Sequence, residues 1–187
     1  MKTVIAMNSI GLFKTPRMVA TRLHYSDSID LYSMYNNPNV MATLGGLPRT
    51  QEEIRVALEW NLRQWDENGY GLWIFRPLTI PGFIGRSGLR RIQILEKYEV
   101  EVAYSLMPEF WGKGFATEMA KSCIEIAFEV FHFESIICTT LCTNKASQRV
   151  MEKVGFNYEC NLIHRNLHQV LYRLTQNRYL TSVMDTR

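Results

Sequence analysis

Residues 108–120 read PEFWGKGFATEMA, a stretch in which Gly112, Lys113, Gly114 and Ala116 leave the main chain almost bare. An alternating strand pattern ends at Met107, and a helical pattern begins near Ala116. Small residues at such a junction let backbone N–H groups converge on one point, and the helix N-terminus adds partial positive charge there. That chemistry suits a diphosphate held by main-chain donors without a metal. A strand-to-helix turn whose glycines only supply positive φ fits the loop equally well. Two nucleotide motifs fail on their own terms. A Walker A loop needs Ser or Thr directly after its lysine, and Lys113 is followed by Gly114. A dinucleotide fingerprint needs Gly or Ala where Thr117 stands.

Other chemistry-bearing residues carry less. Cys160, His164 and His168 are spaced by four, which on a helix would suit zinc. NYECNLIH reads as strand, however, so the three should not converge, and no metal site is expected. The cysteines at 123, 138, 142 and 160 form no C-x-x-C pair. A disulfide framework is not expected, which points to a reducing compartment. The tryptophans at 60, 65 and 73 are expected in the core rather than in a cleft.

The elements that must hold these residues can be read along the chain. MVATRLHYS (18–26) alternates as a first strand. SDSIDLYSMYNN (26–37) has helical spacing, with Asp27 or Ser28 as cap and an end at Asn37-Pro38. Residues 50–71 predict a helix opened by a Thr50/Glu53 capping box, with Ile54, Leu58, Leu62 and Trp65 in one stripe and Gly69 closing it. Three strands follow over 70–78, 82–92 and 99–107. In the last, Val100, Val102, Tyr104 and Leu106 share one face, and Glu99, Glu101, Ala103 and Ser105 share the other. A helix over Ala116–Phe131, a buried strand SIICTTLC (135–142), a short helix capped by Asn144 and ended by Gly155, and a closing hairpin complete the pattern. The tail from Gln176 shows no pattern. The sum is a mixed α/β (α+β) domain with helices packed on a largely antiparallel sheet. The boundaries expected are an extension at 1–17, the domain at 18–175 and a tail at 176–187.

Composition narrows the partners. With 21 Lys and Arg against 18 Asp and Glu, the net charge is +3 over 187 residues, too mild and too evenly spread to argue for nucleic acid. The opening MKTVIAMNSIGLFKTP resembles a weak leader, but Asn8, Ser9 and Lys14 interrupt it. No apolar run approaches the ~20 residues that span a bilayer. The expectation is a cytoplasmic protein, monomeric or homodimeric, without a membrane partner.

Two segments together carry a resemblance. YSLMPEFWGKGFATEMA, followed by TNKASQRVMEKVGF, resembles the acetyl-CoA-binding half of the GNAT superfamily of N-acetyltransferases, and more narrowly its RimJ/RimL-type branch, which acetylates the N-terminal amine of ribosomal proteins. TRLHYS, NNPNVMATL and GYGLWIF are similar to that branch's first strand, helix-joining loop and second strand. The resemblance covers roughly residues 18–175. It implies the GNAT fold, with a V-shaped split between the strands at 99–107 and 135–142. It further implies that the backbone of Gly112, Lys113, Gly114, Phe115 and Ala116 holds the CoA diphosphate, with a hydroxyl from Thr117. Leu106 should pair with the pantetheine amides, and Asn144 and Ser147 should reach the pantetheine arm and the thioester.

Acetyl transfer needs a neutral amine, a polarised carbonyl and a protonated leaving thiolate. Glu101, on the strand bordering the cofactor, is the expected general base, through a water, with Glu99 as alternative. Glu101 could instead be a solvated strand glutamate or the ion-pair partner of Arg90 or Arg91. Ser147 is the expected stabiliser or proton donor of the thiolate, against a plain first-turn serine. The acceptor implied is a primary amine, such as a protein N-terminus. A small amine (aminoglycoside or polyamine), or a non-catalytic acyl-CoA sensor on the same fold, is the alternative. The stretch Asn36–Leu47 and the final hairpin should frame the acceptor cleft.

Overall fold

A computed structural model describes residues 10–184. The leader-like opening therefore lies, up to residue 9, outside the described residues, as do the last three residues of the tail. Along the chain run β1 (Leu12–Lys14), β2 (Met18–Arg22), a 3-10 turn (Tyr25–Asp27), α1 (Ser28–Tyr35), α2 (Pro38–Leu44), α3 (Gln51–Asn68), β3 (Leu72–Pro77), β4 (Gly85–Ile94) and β5 (Lys97–Leu106). Then come α4 (Phe115–Glu125), β6 (Ser135–Leu141), α5 (Lys145–Lys153), β7 (Asn157–His164), β8 (Leu167–Thr175) and α6 (Gln176–Met184). The eight strands form one sheet in the order β1-β2-β3-β4-β5-β6-β8-β7. Every neighbouring pair is antiparallel except β5 and β6, which run parallel. This is the GNAT fold that the sequence implied.

The sheet is covered on both faces. On one, Met119, Cys123 and Ile124 of α4 pack against Val102 and Leu106 of β5. On the other, Leu31 and Met34 of α1 and Ile54 and Leu58 of α3 pack against Leu72 and Ile74 of β3. The odd and even residues of β5 therefore look into different halves of the molecule, as the strand period requires.

The α3 prediction holds. Thr50 Oγ1 accepts from the Glu53 N–H at 3.2 Å, Glu53 Oε2 accepts from the Thr50 N–H at 2.8 Å, and Gly69 closes the helix at φ +74°.

Four local readings differ from the structure. The first helix is led in by a 3-10 turn that His24 caps, with Asp27 Oδ2 accepting from the His24 N–H at 2.8 Å. The side chain of Asp27 does not cap α1. NNPNVMATL is a helix rather than a joining loop. Asn37 Oδ1 accepts from the N–H of Asn39 and Val40, Pro38 stands in the first turn, and Gly45 at φ +80° ends it. The helix after the glycine loop turns π-helical at Ile126–Val130, where the Phe131 N–H reaches Ile126 O. The segment from Gln176 is helical because Tyr179 stacks on Phe128 and donates to Glu129 Oε1 at 2.7 Å. Ahead of residue 18, Leu12–Lys14 pairs with β2 and buries Phe13 against Trp73 and Phe75.

Candidate active site

β5 and β6 are joined at a single register pair, Glu101 with Ile137, and pair nowhere beyond it. The strands are bonded outward to β4 and β8 along their lengths. Beyond Glu101 their facing edges therefore part, leaving a cleft with main-chain groups along its walls. Glu101 stands at the apex, and Leu106, 5% exposed, ends the β5 wall.

At the open end sits the glycine loop. The Trp111 indole N–H donates to Leu106 O at 2.9 Å and ties the loop to the end of β5. Gly112 (φ +72°) and Gly114 (φ +79°) both lie in the left-handed region, and Gly114 is the N-cap of α4. A β-carbon on Gly112 would meet no heavy atom within 4 Å. No side chain caps α4. The first-turn N–H groups therefore face a bare approach, which fits a diphosphate at a helix N-terminus. Phe115, Ala116 and Thr117 form that first turn, and Lys113 is exposed beside it.

A support of this loop escaped the sequence reading. Arg17 lies over the Phe115 ring at 4.0 Å, donates to Lys113 O at 2.8 Å and pairs with Glu118 Oε2 at 2.6 Å. Thr15 donates to the other Glu118 oxygen at 2.7 Å. Glu118, in the first turn of α4, would repel a diphosphate, and these two donors occupy it. Both come from the segment read as an extension. Nothing in their spacing to the loop, some hundred residues away, signals the contact.

Asn144 and Ser147 lie where expected, at the start of α5. Asn144 Oδ1 accepts from the Ser147 N–H at 3.1 Å, and its amide reaches Thr43 O of α2 at 3.4 Å. The Ser147 hydroxyl meets the Tyr104 hydroxyl at 2.9 Å. Tyr104, half-buried on the α4 face of β5, also escaped the sequence reading, which placed it on a face and gave it no role. Burial, reinforced by the nearby Cys138, pushes its phenol well above the usual range, against the Ser147 hydrogen bond. The pair therefore stays protonated. Cys138, which is buried, has its thiol pushed well up.

Glu101 is 4% exposed and lies on the opposite face from Tyr104. One carboxylate oxygen accepts from the Thr139 hydroxyl at 2.7 Å, and the other is bonded by the Arg90 guanidinium. The ion pair that the sequence left open is therefore made, with Arg90 rather than Arg91. Glu99 is clasped by Arg173 through both oxygens, at 2.9 and 3.1 Å, and Arg173 also pairs with Glu159. Of the two carboxylates, Glu101 is at the apex. Cys160 and His164 fall on β7 and His168 on β8, and no group of three His, Cys, Asp or Glu among the described residues could hold a metal. No helix among them is long and apolar enough to cross a membrane.

The family model of the acetyltransferase (GNAT) domain matches residues 17–157 of this chain. The chain belongs to the GNAT acetyltransferase family. The uncharacterized protein YkkB of Bacillus subtilis (strain 168) is 32% identical over 155 residues, which is 81% of this chain and 88% of that protein. Two solved structures share the fold. Spermidine N-acetyltransferase from Vibrio cholerae, in complex with CoA and spermine, superposes with a TM-score of 0.71 at 20% identity, covering 87% of this chain and 98% of that one. Ribosomal-protein-S5-alanine acetyltransferase from Vibrio fischeri does so with a TM-score of 0.72 at 16% identity, covering 90% and 98%. This GNAT protein is thus an acyl-CoA-dependent N-acetyltransferase, and the uncapped loop and the parted strands suit the acetyl-CoA that its family uses.

Proposed function

We propose that this acetyltransferase moves the acetyl group of acetyl-CoA directly onto a primary amine, both substrates being bound together. The observation that carries the reading is the placing of two different proton-handling groups on the two faces of one parted strand. Glu101 looks to the α1–α3 side, and the Tyr104–Ser147 pair looks to the α4–α5 side. An amine arriving from the first side and a thioester lying in the cleft would each meet the group it needs.

The N–H groups of Gly112, Lys113, Gly114, Phe115 and Ala116 hold the diphosphate, with Thr117 adding its hydroxyl. The main chain near Leu106 lines the pantetheine, and Asn144 orients the turn that presents Ser147. When bound, acetyl-CoA supplies an acetyl group already activated as a thioester. Glu101, paired with the Arg90 guanidinium, takes up the proton that the amine nitrogen gives up as its N–C bond forms, through one water. Ser147, backed by the Tyr104 hydroxyl, donates a hydrogen bond to the departing sulfur as the C–S bond breaks, and the thiolate takes its proton from solvent. Positioning supplies the rest of the acceleration.

An α-amine, with a pKa of about 8, needs far less deprotonation at neutral pH than a lysine amine at about 10.4. That difference favours an α-amino acceptor, and the RimJ/RimL resemblance names a protein N-terminus. A small amine is the second reading, supported by the fold shared with a spermidine acetyltransferase. Acetyl-CoA-dependent thiol release, followed with N-terminal peptides and small amines and with mass spectrometry of the products, tests both. An acetylated amine is the expected product. Thiol release that no amine accelerates would contradict the reading.

A further inference from the structure

Arg86 of β4 is 5% exposed, yet among the described residues no carboxylate lies within ion-pair reach of it. Its Nε–H donates to the Tyr35 hydroxyl at 3.0 Å, and its buried Nη1 has no partner among the described residues. A buried guanidinium is ordinarily paired, because leaving water costs it heavily. Here burial and the neighbouring Arg90 both act against its charge, and the support comes from Tyr35 and the more distant Glu101. The surroundings add to the imbalance. Arg49 also lies over the Tyr35 ring, at 4.8 Å, and Arg90 carries a second buried nitrogen, Nε, without a partner among the described residues. Arg86 and Arg90 thus share one carboxylate, Glu101.

The place matters as much as the charge. Register pairs Arg90 with Glu101 at the apex of the cleft, and Arg86 with Ser105 farther along the parted stretch of β5. Ile74, the β3 partner of Arg86, packs in the α1–α3 cluster, so this row faces the side assigned to the acceptor. Between the two pairs stand Gly88 and Ala103, which put nothing larger than a methyl in the way. Arg86 and Arg90 are four residues apart on one strand, roughly 13 Å at the backbone. Both side chains are long enough to shorten that span to the size of a small metabolite.

We propose that the acceptor amine carries an anionic group of its own, a carboxylate or a phosphate, which Arg86 binds while the amine lies at Glu101. This rests on the transferase reading above and narrows its acceptor class. A planar guanidinium presents paired donors to either anion. The same excess of positive charge disfavours polycationic amines such as polyamines and aminoglycosides.

Two measurements test it. In the first, full-length protein saturated with CoA, so that the diphosphate site is filled, is melted in chloride, acetate or phosphate at equal ionic strength. Wild type should melt at least about 2 °C higher in acetate or phosphate. Arg86→Met should lose that shift while melting no lower than wild type in chloride, because an unpaired buried charge has gone. The anion that gives the larger shift distinguishes carboxylate from phosphate. Equal shifts in both proteins, or none in wild type, would overturn the proposal.

In the second, thiol release is compared within matched pairs, glycylglycine against glycylglycinamide and phosphoethanolamine against ethanolamine, with spermidine alongside. The anionic member of at least one pair should have a kcat/KM at least tenfold higher. Arg86→Met should shrink that ratio toward one, and Arg86→Lys, which keeps the charge without the fork, should leave it intermediate. If neutral amines or spermidine are turned over as well as anionic ones, the transferase reading stands and this proposal falls. If CoA binds and no amine accelerates thiol release, both fall.

Discussion

The two sides of the parted strand are built from different materials. The side proposed for the cofactor is mostly backbone: two left-handed glycines, an uncapped helix end and main chain along a cleft. The side proposed for the acceptor is mostly side chain: Tyr35, Arg86, Arg90, Glu101 and Thr139, drawn from four separate elements. Backbone recognition demands small residues at fixed spacing, and so it leaves a motif. Side-chain recognition asks only that distant segments meet, and so it leaves none. One half of the site is therefore visible as a motif in the sequence and the other is not.

Substitutions should separate the halves. The largest effect is expected at the apex. Glu101→Gln should lower kcat by about 10³-fold, within the range for a general base, while the Kd for CoA measured by calorimetry stays within about twofold. A parallel loss of CoA binding would merge the two halves. Next, Gly114→Val forces a β-branched residue to φ +79°, a strain of roughly 1–3 kcal/mol, and places its side chain at the diphosphate approach. CoA affinity should fall on the order of 10²-fold. The fold should survive, since the added β-carbon meets only the tip of Arg17, at 3.5 Å.

Ser147→Ala and Tyr104→Phe should each lower kcat by about 10–10²-fold, and the double variant by little more than either, because hydroxyls 2.9 Å apart act as one donor. Full additivity in pre-steady-state thiol release would show that they act separately. Arg17→Ala should cost only about fivefold in CoA affinity, and more at low salt. Arg17 itself is exposed, so the fold loses little, but the half-buried Glu118 is left with less to offset its charge beside the diphosphate.

The smallest effect concerns the core under the cofactor side. Burial pushes the Cys123 thiol up to about 12, opposed by its bonds to Ser87 and Ser122. The folded protein therefore keeps a proton that the unfolded chain gives up near pH 8.5. The contribution to stability is whole below that pH and is lost as pH rises toward 12. Denaturant midpoints should fall across that window, less steeply in Cys123→Ala. Thiol titration of the native protein should find Cys142 and Cys160 and miss Cys123 and Cys138.

Much of this arrangement is written in the chain. The Thr50/Glu53 box, the alternation of β5 and the Asn144 cap follow from local rules, and the structure places each as expected. What stayed hidden has a common cause. β1 and α6 are held by contacts far along the chain, Phe13 to Trp73 and Tyr179 to Phe128, and neither segment has much pattern of its own. α2 is hidden because Asn37-Pro38 signals the end of one helix while the same pair also begins the next. Tyr104 could be placed on a face, but its partner, 43 residues away, could not be named. Arg86 shows no sign in the sequence of being buried and unpaired.

If bare main chain at 112–116 grips a diphosphate and so delivers a thioester to the apex between β5 and β6, a crystal structure of the CoA complex will place phosphate oxygens within hydrogen-bond reach of those N–H groups and the sulfur beside Ser147. A diphosphate seated anywhere else, or a sulfur outside the cleft, would overturn that delivery.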